Sequence, residues 1–179
     1  MIKKVLNIFI SFLFIFVMLS CDDKKQNKQG AQIVTQKQIE DYLEQNNRDF
    51  IRYEADKINE YVESHDLNVL QTGTGLRYQI HENGDGVLIK EGDIVTLEYE
   101  IGLLNGDMIY SSENDGVKTF MVGRGGVESG LEEAILKMSK NSVATLIIPV
   151  HLAHGLIGDG NKIPSRATLV YRMKVIEKQ

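Results

Sequence analysis

The chain has 179 residues, with 20 lysines and arginines against 25 aspartates and glutamates, for a formal net charge of −5. A mildly acidic chain without a concentrated basic patch lacks the attraction that nucleic-acid binding draws from neutralising phosphates, so nucleic acid is excluded as a partner class. Cys21 is the only cysteine, which rules out an internal disulfide.

The first segment reads as an export signal. Lys3 and Lys4 precede an apolar run from Val5 to Leu19, broken only by Asn7 and Ser11. A membrane-spanning helix needs about 20 apolar residues, and this run is shorter and ends in Cys21-Asp22-Asp23-Lys24-Lys25, so a lasting transmembrane anchor is the weaker reading. Met18-Leu19-Ser20-Cys21 instead resembles a bacterial lipobox. That resemblance implies a lipoprotein signal peptide over 1–20, removed before Cys21, and lipidation of Cys21. Two or more acyl chains hold a protein on a bilayer firmly, at roughly 0.8 kcal/mol per buried methylene. Residues 21–34 follow as a polar tether, since Asp22 to Gly30 lacks aromatic residues.

Thr35-Gln36-Lys37-Gln38 has the spacing of a helix capping box. Ile39, Leu43, Phe50, Ile58 and Val62, with Tyr42, Ile51, Ala55 and Tyr61 beside them, recur mostly every three or four residues. This predicts one long or two consecutive amphipathic helices over about 36–65, with Asn46-Asn47 as the weak point, in an extension spanning 35–70. The apolar stripe either packs on the chain's own domain or serves self-association or an envelope partner. On the second reading, residues 75–179 fold without it and lose any self-association of the longer chain.

From Gly75 the period changes to alternation, and 71–179 reads as one domain. Leu76, Tyr78 and Ile80 suggest a strand that turns at Asn83-Gly84-Asp85-Gly86. Val95, Leu97, Tyr99, Ile101 and Leu103 face one way on a half-buried antiparallel strand. Asn105-Gly106 predicts a type I′ hairpin returning through Met108 to Ser112. A further strand lies near Lys118 to Val122. Ser129-Gly130-Leu131-Glu132 matches a capping box ahead of a short helix over about 130–138. Val143 to Ile148, apolar on both faces, and Ala167 to Ile176 complete the strands. The order predicts an α+β domain, an antiparallel sheet wrapped over one short helix, preceded by the α-helical N-terminal extension.

Gly106-x-x-x-Tyr110-Ser111-Ser112, Phe120-x-x-Gly123, Gly130-Leu131-Glu132-Glu133-Ala134, Ala153-x-Gly155 and Ile163-Pro164-x-x-Ala167-Thr168-Leu169-Val170-Tyr171 occur in that order. With these segments, Asp93 to Glu177 resembles the FKBP-type peptidyl-prolyl cis/trans isomerases. Taken with the signal and the helical extension, the chain resembles the isomerase lipoproteins associated with gliding motility. The resemblance implies an FKBP-like fold over 71–179, proline-containing polypeptides as substrates, no cofactor and no metal. It places the cup wall and floor on Tyr99, Ile109, Phe120, Val127, Leu131, Ile163 and Tyr171, and the donor to the peptide carbonyl on the backbone N–H of Glu128. Leu131 stands where the family usually has a tryptophan floor, Ile109 in place of a phenylalanine and Tyr110 in place of an aspartate. Lys118 takes an aromatic wall position, and His154 takes that of a tyrosine that bonds the ligand.

An X-Pro bond isomerises by twisting about C–N over a barrier of about 18–20 kcal/mol. The twisted amide is less polar than the planar one, so an apolar cup that binds the distorted shape accelerates the step. The lost aromatics reduce that contact. The sequence therefore leaves two classes open: an envelope foldase, or a peptide-binding or assembly subunit that kept the fold without useful turnover. His151, His154 and Asp159 fall short of a converging metal-ligand set. Gly123-Arg124-Gly125-Gly126 lacks the lysine and hydroxyl of a phosphate loop and reads as a tight turn.

Overall fold

The computed structural model describes residues 35–179; the expected signal peptide over 1–20, the expected lipidation site Cys21 and the expected tether over 21–34 lie outside the described residues. Helix α1 spans Gln36–Ser64. Its start is the expected capping box: the Gln38 N–H donates to Thr35 Oγ1 at 3.3 Å, and the Thr35 N–H donates to Gln38 Oε1 at 2.9 Å. The expected weak point at Asn46-Asn47 does not interrupt it. Arg48 reaches Glu44 at 2.6 Å and Gln45 reaches Asp49 at 3.0 Å, so side-chain pairs one turn apart bridge that stretch.

A compact unit spans Leu43–Gln179. After β1 (Leu70–Gln71) come β2 (Arg77–Asn83), β3 (Ile94–Leu103), β4 (Met108–Ser111) and the short helix α2 (Ser112–Asp115). β5 (Lys118–Met121), α3 (Ser129–Ile135), β6 (Ser142–Ile148) and β7 (Leu169–Lys178) follow. The strands form one antiparallel sheet in the order β1-β2-β6-β7-β3-β4, with β5 also paired to β3. This is the α+β arrangement read from the sequence.

Both faces of the centre of the sheet are covered, which explains why β6 is apolar on both sides. Ala144, Leu146 and Ile148 join Tyr171, Leu97, Leu131 and Ile135 in the main core with α3. Ile147, paired with Val170 across β6 and β7, faces a second cluster built on Ile58 and Tyr61 of α1, with Val62, Leu67 and Leu104 around it. The apolar stripe of the helix is therefore divided. Ile58 and Tyr61 are buried on the chain's own sheet, while Leu43 and Ile51 are exposed.

Two local expectations are corrected. At the β3–β4 hairpin only Gly106 has positive φ, at +92°, whereas a type I′ turn needs positive φ at both central residues. The Gly106 N–H instead closes on the Leu103 carbonyl, and Asn105 Oδ1 accepts the Asp107 N–H at 3.1 Å, so the Asn105 side chain makes a local turn while its φ is not positive. The capping box at Ser129 does not form either. Glu128 is the N-cap residue, the Ser129 hydroxyl donates to the Leu152 carbonyl, and Glu132 accepts from the N–H groups of Gly123 and Gly125 at 2.8 and 3.2 Å. Glu132 thus fixes the glycine turn ahead of α3, whose backbone donors win over the helix's own.

Candidate active site

A cavity of about 560 Å³ opens between β3, β5, the segment before α3 and the loop between β6 and β7. Tyr99 comes from β3, Tyr110 from β4, Lys118 from β5, Val127 and Glu128 from the segment entering α3, and His154, Asp159 and Ile163 from the loop. Six of the sequence-predicted site residues, Tyr99, Tyr110, Val127, Glu128, His154 and Ile163, therefore share one cavity. The other four do not line it. Phe120, Leu131 and Tyr171 belong to the buried core, and Ile109 packs half-buried against that core. Leu131, expected as the floor, has no exposed surface.

A charged network stands at this site. The Glu128 side chain is only 4% exposed, and its Oε1 accepts from the Tyr171 hydroxyl at 2.6 Å and lies 3.1 Å from His154 Nε2. Lys118 Nζ donates to the Tyr171 oxygen at 3.1 Å and lies 3.6 Å from Glu128 Oε2, which has no hydrogen-bond partner of its own. The ammonium also sits over the rings of Tyr99 and Tyr171, 5.2 and 5.5 Å from their centroids, where the negative ring faces attract it. Burial pushes the Glu128 carboxyl up, but the Lys118 charge, the Tyr171 bond, its own backbone N–H and His154 together hold it below the ordinary carboxylate value. Tyr171 moves the other way: burial, then the Glu128 charge, keep its phenol protonated and donating.

A second polar cluster fixes the loop. Asp159 accepts from the Tyr110 hydroxyl at 2.6 Å and from the N–H groups of Asn161 and Ile163, both at 2.8 Å. Those bonds outweigh desolvation and lower the Asp159 pKa, and the same bond to Asp159 raises that of Tyr110. Tyr110 thus ties β4 to the loop that carries Ile163. Gly158, at φ +76°, allows the chain to pass under the Ile163 carbonyl, where a Cβ would collide with that oxygen and with Pro164. His151 bonds the Thr74 carbonyl at 2.8 Å and takes no part in the cavity.

Sequence reasoning treated Glu128 only as a backbone donor and Lys118 only as a missing aromatic. It did not see that their side chains meet, because they lie on different elements and no spacing rule links them. Asp115 and Ile101, which also line the cavity, carried no signal beyond an acidic loop residue and an alternating strand position.

Several known proteins are similar to this chain in sequence or fold. The chain is 37% identical over 110 residues to the Neisseria meningitidis serogroup B protein named "Probable FKBP-type peptidyl-prolyl cis-trans isomerase FkpA", covering 61% of this chain but only 40% of that one. It is 27% identical over 162 residues to "Outer membrane protein MIP" of Legionella longbeachae, covering 82% of this chain and 69% of that protein. The crystal structure of FkpA from Escherichia coli superposes with a TM-score of 0.60 at 25% identity, covering 82% of this chain and 74% of the other. The family model described as FKBP-type peptidyl-prolyl cis-trans isomerase matches residues 86–176, just over half of the chain, and this protein belongs to that family.

Proposed function

We propose that this chain is a membrane-anchored prolyl cis/trans isomerase that assists folding of proteins in a bacterial cell envelope or at the cell surface. The observation that supports this reading most is the cavity itself, in which Tyr99, Val127 and Ile163 come together from three separate parts of the fold. These side chains hold a proline ring, and the Glu128 N–H, beside them in the cavity wall, donates to the substrate carbonyl. No titration and no covalent intermediate are required, because the site acts by binding the twisted amide better than the planar one.

The test is a protease-coupled assay on a prolyl peptide. The parent is expected to accelerate isomerisation weakly, and Tyr99→Ala and Val127→Ala are expected to lower kcat/KM, each at least several-fold. A folded parent that gives no acceleration while still binding proline-containing peptides would reverse the assignment. The charged pair of Lys118 and Glu128 favours that second reading, a non-catalytic peptide-binding or assembly subunit, because it puts polar groups where a twisted amide gains from apolar ones.

The anchor belongs to the same proposal and rests on the lipobox-like Met18-Leu19-Ser20-Cys21. No helix among the described residues is long and apolar enough to cross a membrane. Cys21→Ala is expected to abolish incorporation of a fatty-acid analogue and to release the protein from membranes; equal labelling of mutant and parent counts against lipidation. A role in gliding motility rests on the combination of lipoprotein signal, helical extension and isomerase domain. Deletion of the gene in a gliding bacterium should slow spreading if it holds.

A further inference from the structure

One wall of the cavity is the loop from Val150, two residues past the end of β6, to Thr168, directly before β7, which delivers His154, Asp159 and Ile163. Both ends of this loop meet at a single atom of helix α1. Glu54 Oε1 accepts the Val150 N–H at 2.7 Å and the Thr168 hydroxyl at 2.6 Å. Glu54 is 8% exposed and sits one turn before Ile58, beside an apolar cluster where a carboxylate without partners is strongly unfavourable. A leucine would suit that cluster better on packing grounds alone. The carboxylate stands where it binds the loop's two ends, and its charge also acts on the buried Arg77 guanidinium of β2. A second contact runs the same way, with the Arg166 guanidinium 5.1 Å from the centre of the Phe50 ring of α1.

We propose that Glu54 is a positioning residue for the cavity: by holding Val150 and Thr168 together, it lets helix α1 set where the loop places His154, Asp159 and Ile163. The role of these residues toward a prolyl substrate rests on the isomerase reading above. The clamp itself does not. It makes the helical extension a working part of the site rather than a spacer, so that whatever engages the extension also bears on the cavity.

The test uses the full-length chain and three variants, Glu54→Ala, Glu54→Gln and Thr168→Val. In Glu54→Ala, amide hydrogen exchange at Val150 should speed up about tenfold or more while the amides of Leu146 and Tyr171 in β6 and β7 change little, because one buried donor has lost its acceptor. The backbone resonances of His154, Asp159 and Ile163 should shift with it, and kcat/KM should fall about tenfold. Glu54→Gln keeps an acceptor oxygen at the same reach and should restore both the resonances and the rate. Thr168→Val, which removes one of the two bonds, should fall between parent and Glu54→Ala. Exchange and resonances are read without substrate, so they decide the clamp even if the parent shows no turnover. The proposal is overturned if exchange rises equally throughout the sheet, or if the three loop resonances stay in place in Thr168→Val. Should Glu54→Ala fail to fold, Glu54→Gln and Thr168→Val carry the comparison alone.

Discussion

A chain that begins at residue 71 is expected to melt far below the full-length protein and to self-associate. The cause is the half of α1 that lies on the sheet. Ile58 and Tyr61 are 3% and 6% exposed, and together they cover Ile147 and Val170, which have 0% and 4% exposure. Burying one large apolar side chain contributes about 1.5–3 kcal/mol, so losing the helix removes on the order of 5 kcal/mol or more. That is comparable to the whole stability of a small domain, about 5–15 kcal/mol. The uncovered Ile147–Val170 face would then be a contiguous apolar patch open to association. A milder version is Ile58→Ala in the full chain, expected to cost about 2–5 kcal/mol through the cavity it leaves. Urea midpoints decide both. A midpoint for the 71–179 fragment equal to that of the parent would show that the helix contributes nothing to the domain.

The sequence left open both a helix packed on its own domain and an accessory helix without which residues 75–179 fold alone, and the choice between them shows which physics a sequence carries. Period-2 alternation in β3 was readable because one face of that strand is buried, and Val95, Leu97, Tyr99 and Ile101 are all buried as the pattern required. The two-sided apolar character of β6 was equally plain, but it did not say that α1 covers the second face. Apolar residues on a helix state that a partner surface is needed and leave its identity open. Here the stripe is shared: Ile58 and Tyr61 take the chain's own sheet, while Leu43 and Ile51 stay exposed.

The site was legible to a similar depth. Family-spaced segments located the strands and loops that surround the cavity, since turn glycines and core positions recur at fixed intervals. What the side chains do inside it was not legible. Glu128 stands where only a backbone donor was sought, yet its carboxylate joins Tyr171, His154 and Lys118 at the site. Ser129 and Glu132 had the spacing of a capping box, and tertiary partners at Leu152, Gly123 and Gly125 drew both side chains away. Local rules hold until a competing partner arrives from a distant part of the chain, and sites are where such partners gather.

Replacing Glu128 and Lys118 singly should be costly, and replacing both together should cost less than the sum of the two. Glu128→Leu leaves the buried Tyr171 hydroxyl without its acceptor and the Lys118 ammonium without its counter-charge. Breaking a buried pair in this way typically costs about 3–5 kcal/mol, reduced here because Lys118 is a quarter exposed and can turn to water, leaving about 2–3 kcal/mol. Lys118→Met leaves the carboxylate with only Tyr171 and His154, and removes the largest of the influences that hold its pKa down. In the double variant neither charge remains to be left alone, so the main remaining cost is the buried Tyr171 hydroxyl without its acceptor, about 1–3 kcal/mol. The cycle should therefore show a coupling of about 1–3 kcal/mol. The pH dependence follows from the direction of the shift. The folded-state pKa of Glu128 lies below its ordinary value of 4.5, so its contribution is fully present above that value and is lost as pH falls through the folded pKa. The parent should lose stability on acidification below about 4.5, and the double variant should lack that part of the loss. If the cup limits turnover by its polarity, the double variant should also isomerise prolyl peptides faster than the parent, because an apolar lining favours the less polar twisted amide. Additive single and double costs would refute the coupling, and an unchanged rate in a stably folded double variant would clear the charged pair of limiting catalysis.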